Sequence, residues 1–294
     1  MFEGFSSRMV AAEGAAIHLR LGGHGPPLLL LHGYPQTSAM WHRVAPGLAE
    51  RFTVVAADLR GYGASAKPPS DPEHLAYSKR VMAQDMVQVM AGLGFGSFAV
   101  AGHDRGGRVA YRMALDQPAV VTRLAVLDIV PTFVMWQRMD RELAMATYHW
   151  LFLAQPDGLP ETMIGADPAW WVREKLRRWA GNPGAFAAEA VEEYVRCFAD
   201  PAAIHASCED YRAGATVDDR LDTADLGRRR IACPVLAVWG EDGIARRAED
   251  VLASWRPLCE DVRGQGVPGG HFVAEEAPAE TLAALAGFFA DGSR

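Results

Sequence analysis

The sequence predicts an α/β protein: a doubly wound, mostly parallel sheet carrying an inserted helical cap. Three observations point there. Short apolar runs each stop at a Gly- or Asp-containing loop, helices of 3.6-residue period separate them, and a long middle stretch has helical pattern throughout with no strand-like run.

Leu28–Leu31 is wholly apolar and stops at His32-Gly33, and Thr53–Ala57 stops at Asp58. Bounded by Gly/Pro-rich turn material, both read as buried parallel strands. Between Ser78 and Gly92 the residues Val81, Met82, Met86, Val87, Val89 and Met90 recur at helical spacing, and Gly92 and Gly94 punctuate the end. Phe98–Ala101 is the next strand; Gly-His-Asp-Arg-Gly-Gly follows, then a helix through Arg108, Val109, Tyr111, Arg112 and Leu115. Leu124–Leu127 is a further strand, ending at Asp128. From Pro131 to about Arg228 helix follows helix, with candidates at Val134–Leu153, Pro168–Trp179, Ala185–Phe198 and Pro201–Arg212. Strand pattern resumes at Val235–Trp239, and a final helix, Glu280–Phe289, follows a loop holding His271. The predicted organisation is core over 1–130, helical cap over 131–228 and core again over 229–294.

A chain of 294 residues, half of them apolar, can bury a large core, and its net charge of −7 offers no basic field for nucleic acid. The four cysteines, Cys197, Cys208, Cys233 and Cys259, have neither C-x-x-C pairing nor zinc spacing and read as reduced, buried thiols. Met1–Gly14 lacks the pattern of a secretory signal, and no apolar run is long enough to span a bilayer, so the expected compartment is the cytoplasm, away from membranes.

Gly102-His103-Asp104-Arg105-Gly106 lies between a strand and a helix, where a strained turn lifts a nucleophile above a sheet. An aspartate there selects the chemistry. A serine attacking saturated carbon would form an ether that water cannot reopen; a carboxylate forms an ester that activated water hydrolyses. His271, in Gly269-Gly270-His271-Phe272 after the last predicted strand, fits the base that activates the water. Two carboxylates at strand ends, Asp128 and Asp242, are candidates to orient it, and the residues alone leave both open. Backbone N–H groups of Arg105 and of Tyr34, in His32-Gly33-Tyr34-Pro35, are placed to receive developing negative charge. No phosphate-cradling glycine loop or metal-ligand spacing is present, so no cofactor or metal is expected.

The elbow Gly-His-Asp-Arg-Gly-Gly-Arg at 102–108, His-Gly-Tyr-Pro-Gln-Thr at 32–37, Tyr-His-Trp at 148–150 and Cys-Glu-Asp-Tyr-Arg-Ala-Gly-Ala at 208–215 together resemble the fluoroacetate (haloacetate) dehalogenases of the α/β-hydrolase superfamily, nearly end to end. The resemblance implies Asp104 as nucleophile, His271 as base and Asp128 as the acid. It implies Arg105 and Arg108, three apart on one helix face, as the clamp for a haloacid's carboxylate, and His149, Trp150 and Tyr211 as the halide pocket. It also implies a homodimer. The competing readings are an epoxide hydrolase, using the same aspartate and histidine with Tyr148 and Tyr211 as acids, and a non-catalytic receptor on the same scaffold.

Overall fold

The computed structural model describes residues 1–248 and 250–291. In chain order the first elements are β1 (Ser6–Ala12), β2 (Ala15–Gly22), β3 (Pro27–Leu31), α1 (Ala45–Ala49), β4 (Thr53–Ala57), α2 (Lys79–Gly92), β5 (Phe98–His103), α3 (Arg105–Asp116) and β6 (Val121–Leu127). Eight helices follow with no strand between them: α4 (Thr132–Gln137), α5 (Arg141–Ala146), α6 (His149–Leu153), α7 (Leu159–Gly165), α8 (Pro168–Trp179), α9 (Ala188–Phe198), α10 (Pro201–Ala215) and α11 (Val217–Asp225). The chain ends through β7 (Val235–Gly240), α12 (Ile244–Ala248), α13 (Val251–Trp255), β8 (Val262–Val267), α14 (Val273–Glu276) and α15 (Pro278–Ala290).

Among the described residues the strands form one sheet in the order β1-β2-β4-β3-β5-β6-β7-β8. Strand β2 is antiparallel to both of its neighbours; every other pairing is parallel. The parallel strands have helices over both faces, which is why Leu28 to Leu31 are all apolar and all wholly buried. Each such side chain contributes roughly 1.5–3 kcal/mol relative to exposure. Strand β4 lies on one side of β3 and β5 on the other, so strand order reverses between β3 and β5. The loops leaving those two strands open a crevice at the carboxyl edge of the sheet, the usual ligand position in such folds.

The structure departs from the sequence reading where burial is weak or a helix is interrupted. The β1–β2 hairpin is not among the predicted elements; β1 is mostly exposed despite its apolar Met9–Ala12 half, so burial gives it none of the marks of a core strand. Nor was β8, an edge strand with two glycines whose residues alternate between half-buried and exposed. The predicted helix Val134–Leu153 is three, α4, α5 and α6: the Asp140 side chain accepts the Leu143 N–H at 2.8 Å and caps a new start within it. The short α7 and α11 fall in stretches read as connections. All four cysteines are free; Cys208 and Cys259 are buried, whereas Cys197 and Cys233 are only half-buried. Among the described residues no helix is long and apolar enough to cross a membrane.

Candidate active site

Asp104 occupies the turn between β5 and α3 with φ 46° and ψ −116°, a region that costs a non-glycine residue about 1–3 kcal/mol. Its neighbours let the turn close. A Cβ on Gly102 would sit 2.4 Å from the Gly106 carbonyl oxygen, and one on Gly106 would sit 2.4 Å from that of His32. Only glycine permits this approach of helix to strand. The Asp104 carboxylate then faces the β3 loop, where the Tyr34 N–H donates to Oδ1 at 2.9 Å. The Asp104 side chain makes no cap hydrogen bond to the first turn of α3, which begins at Arg105. Burial by itself would raise the Asp104 pKa. The positive charges of His271, His103, Arg105 and Arg108 outweigh it and hold the carboxyl at about 2, so it is ionised at neutral pH.

His271 follows β8 and is held from three sides. Its N–H donates to the Trp179 carbonyl at 2.9 Å, its own carbonyl accepts from His103 Nε2 at 2.8 Å, and its Nδ1 meets Asp128 Oδ2 at 2.7 Å. Its Nε2 points toward Asp104 Oδ2 across 3.8 Å. Asp128, itself in the left-handed region at φ 47°, also accepts the N–H groups of Gly240 and Ile244, each at 3.1 Å. Gly243 makes room for it: a Cβ there would lie 2.1 Å from Asp128 Oδ1. Asp242 is exposed, and its backbone N–H bonds the Gly269 carbonyl. Of the two carboxylates that the sequence left open, Asp128 is the one that meets the histidine. Burial alone would lower the His271 pKa, but the hydrogen bond and charge of Asp128 prevail and raise it above 6.5.

A small cavity above Asp104 is lined by Asp128, His271, Arg108, His149 and Trp150, with apolar walls that include Met135 and Ile244. Its free space is small, about 10 Å³. The guanidinium carbons of Arg108 and Arg105 lie 4.5 and 5.6 Å from the Trp150 ring centre, so the helix spacing does bring both to one place. Their surroundings differ. Arg108 lines the cavity, its Nη1 donating to the Val130 carbonyl (3.1 Å) and Thr132 Oγ1 (3.0 Å). Arg105 does not line it, and is bound to Asp210 instead. His149 and Trp150 line the cavity; Tyr211 packs edge-on against both, its ring 5.6 and 6.0 Å from theirs. His149 Nδ1 and the Tyr211 hydroxyl are buried without hydrogen-bond partners, as are Arg105 Nη1 and Arg108 Nε. Burial pushes the His149 pKa well below 6.5, so its ring is neutral.

Two further side chains belong to this site and were not singled out from the sequence. The Trp179 ring lies tilted 4.4 Å from that of His149 and edge-on 5.9 Å from that of His271, with its buried Nε1 also lacking a partner. Its only trace in the sequence is the helical spacing Trp171, Lys175, Trp179, which marks the inward stripe of α8. Asp210 carries no such trace, because a carboxylate on a helix gives no sign of being buried.

A family model described as the alpha/beta hydrolase fold matches residues 26–278. A fluoroacetate dehalogenase from Burkholderia sp is 49% identical over 293 residues, spanning 99% of this chain and 96% of that protein. This chain belongs to the haloacetate dehalogenase family of α/β hydrolases. That family borders another: a soluble epoxide hydrolase from Corynebacterium sp. (strain C12) is 35% identical over 284 residues, 95% of each chain. Among solved structures, one from Nostoc sp PCC 7120, described only as an alpha/beta hydrolase, superposes with a TM-score of 0.97 at 56% identity, covering 98% of this chain and 99% of that one.

Proposed function

We propose that the chain hydrolyses haloacetates, fluoroacetate and chloroacetate among them, to glycolate and halide. The observation that carries this reading is the pairing of an ionised, non-glycine elbow nucleophile with two buried arginines that still hold unpartnered donors. A neutral haloalkane or epoxide has no charge to take up those donors; a short carboxylate does.

The steps follow from the atoms present. Tyr34 N–H engages Asp104 Oδ1, leaving Oδ2 as the free nucleophile. Oδ2 attacks the substrate's halogen-bearing carbon, the carbon–halogen bond breaks, and halide departs with its electron pair. Trp150, which lines the cavity, and the unpartnered Tyr211 hydroxyl and neutral His149 are the groups on hand to donate to it. Fluoride, small and basic, needs such donors more than chloride does. An ester now joins Asp104 to the carboxymethyl group. The gap of 3.8 Å between His271 Nε2 and Asp104 leaves His271 free to take a proton from a water that attacks the ester's carbonyl carbon, with Oδ1 polarised by Tyr34. Asp128 holds the Nδ1–H tautomer and stabilises the imidazolium. As the adduct collapses the imidazolium gives its proton to the departing glycolate oxygen, and the Asp104 carboxyl loses its remaining proton to solvent, which restores the carboxylate.

The Corynebacterium relative makes epoxide hydrolysis the second reading, and the unpartnered Tyr211 hydroxyl is the group that would protonate an epoxide oxygen. The test is halide release from fluoroacetate and chloroacetate by purified protein and by its Asp104→Asn variant, beside diol formation from styrene oxide. Halide release lost in the variant is the expected result. Diol without halide transfers the protein to the epoxide hydrolases, and neither product points to a receptor.

A further inference from the structure

The segment 208–215 on α10 enters the reaction above only through Tyr211, yet its neighbour Asp210 is wholly buried and densely bonded. Asp210 Oδ2 accepts from the Tyr62 hydroxyl (2.6 Å) and Arg105 Nε (3.1 Å). Its Oδ1 accepts from Arg105 Nη2 (2.7 Å) and from Lys79 Nζ, and its backbone carbonyl takes a second bond from Nη2 at 2.7 Å. Gly214, one turn on, faces the same guanidinium: an added Cβ would lie 3.0 Å from Nη2. The Tyr211 ring lies 4.1 Å from the guanidinium carbon. Three of Arg105's hydrogen-bonding positions are thereby fixed, and Nη1 is left buried without a partner.

Charge sorts the two arginines further. Lys79 also pairs with Asp218 at 3.3 Å, so the cluster Arg105, Lys79, Asp210 and Asp218 sums to zero. Arg108 has no carboxylate among its bonds, only the neutral oxygens of Val130 and Thr132. An unsatisfied charged donor in a buried site is costly until an anion meets it.

We propose that Asp210 is the positioning residue of the carboxylate clamp: it fixes Arg105, which stands outside the cavity's wall, so that Nη1 is the one nitrogen left free to meet a haloacid, and Gly214 provides the room. Arg108 supplies the net positive charge and Arg105 the direction. This assignment rests on the haloacetate reading above.

The experiment compares chloroacetate kinetics of the wild type, Asp210→Asn, Arg105→Met and the double variant, with Gly214→Ala as an independent probe that leaves the carboxylate in place. Asp210→Asn raises KM about ten-fold, with kcat falling less. In the Arg105→Met background it adds no more than about two-fold, because its effect travels through that arginine. Gly214→Ala raises KM several-fold by pushing the guanidinium. An unchanged KM in Asp210→Asn, or an equal rise in both backgrounds, overturns the assignment. If Asp210→Asn does not fold, an unchanged KM in Gly214→Ala overturns it. Wild-type protein that releases no halide removes the haloacetate reading as well, whereas an active wild type with an indifferent Asp210→Asn removes this inference alone.

Discussion

Replacing Asp128 by Asn separates the two half-reactions, and the structure sets the size of the effect. Two donors, His271 Nδ1–H and Ile244 N–H, converge on Oδ2, while Gly240 N–H alone meets Oδ1. An asparagine keeps one carbonyl oxygen. Placed at Oδ2 it retains two donors and turns its NH2 against the Gly240 N–H, so the histidine tautomer survives but the negative charge does not. A charge-assisted hydrogen bond is worth about 1.5–3 kcal/mol against about 0.5–1.5 for a neutral one. Unit charges near 4 Å interact by about 4 kcal/mol at an effective dielectric constant of 20. The imidazolium formed during water attack therefore loses about 2–4 kcal/mol, roughly 30- to 1000-fold in that step. Halide displacement transfers no proton to His271 and stays fast. Rapid-quench halide release from Asp128→Asn should show one equivalent per active site followed by slow turnover, with a carboxymethyl adduct on Asp104 by intact mass. Asp242→Asn, at an exposed position, should match the wild type. The pH profile carries the sign. His271 acts only when neutral, and Asp128 raises its pKa, so the acid limb of ester hydrolysis moves to lower pH in Asp128→Asn. Steady turnover within about two-fold of wild type, or a slow first halide, refutes this account.

The remaining predictions concern binding, halide selectivity and stability. Arg108→Met should raise KM for chloroacetate about 10- to 100-fold through loss of a charged hydrogen bond, measured in the same halide assay. Tyr211→Phe removes a buried hydroxyl without a partner, so Tm should hold or rise; fluoroacetate turnover should fall about ten-fold or more, and further than chloroacetate turnover. Glu275 accepts from the Gln36 side chain and from the Tyr194 hydroxyl; burial is the main reason its pKa is pushed up to about 8 from 4.5. A carboxyl whose pKa is raised on folding stabilises the fold below its unfolded value, and that contribution is lost as pH rises through 4.5 to about 8. Melting curves across this window should therefore fall with pH in the wild type and flatten in Glu275→Gln.

Composition and period alone determined much of this protein. Four consecutive leucines between turn residues read as a strand covered on both faces, and an aspartate with a glycine two residues to either side, after another apolar run, reads as the strained elbow where a nucleophile sits. The chemistry of a carboxylate against that of a hydroxyl then narrowed the reaction. The exposed β1, apolar only from Met9 to Ala12, and the glycine-containing edge strand β8 left a weaker mark, because a strand not buried on both faces need not be apolar throughout. Tertiary structure decided what depends on contacts between distant segments. Asp128 and Asp242 are equal in sequence, and only the approach of the His271 loop to β6 makes one of them a partner. Arg105 and Arg108 are a matched pair on paper; Asp210, 105 residues away, converts them into an anchored donor and a net charge. Local pattern reports burial and period, whereas pairing of buried charges is set by which helices the cap lays over the sheet.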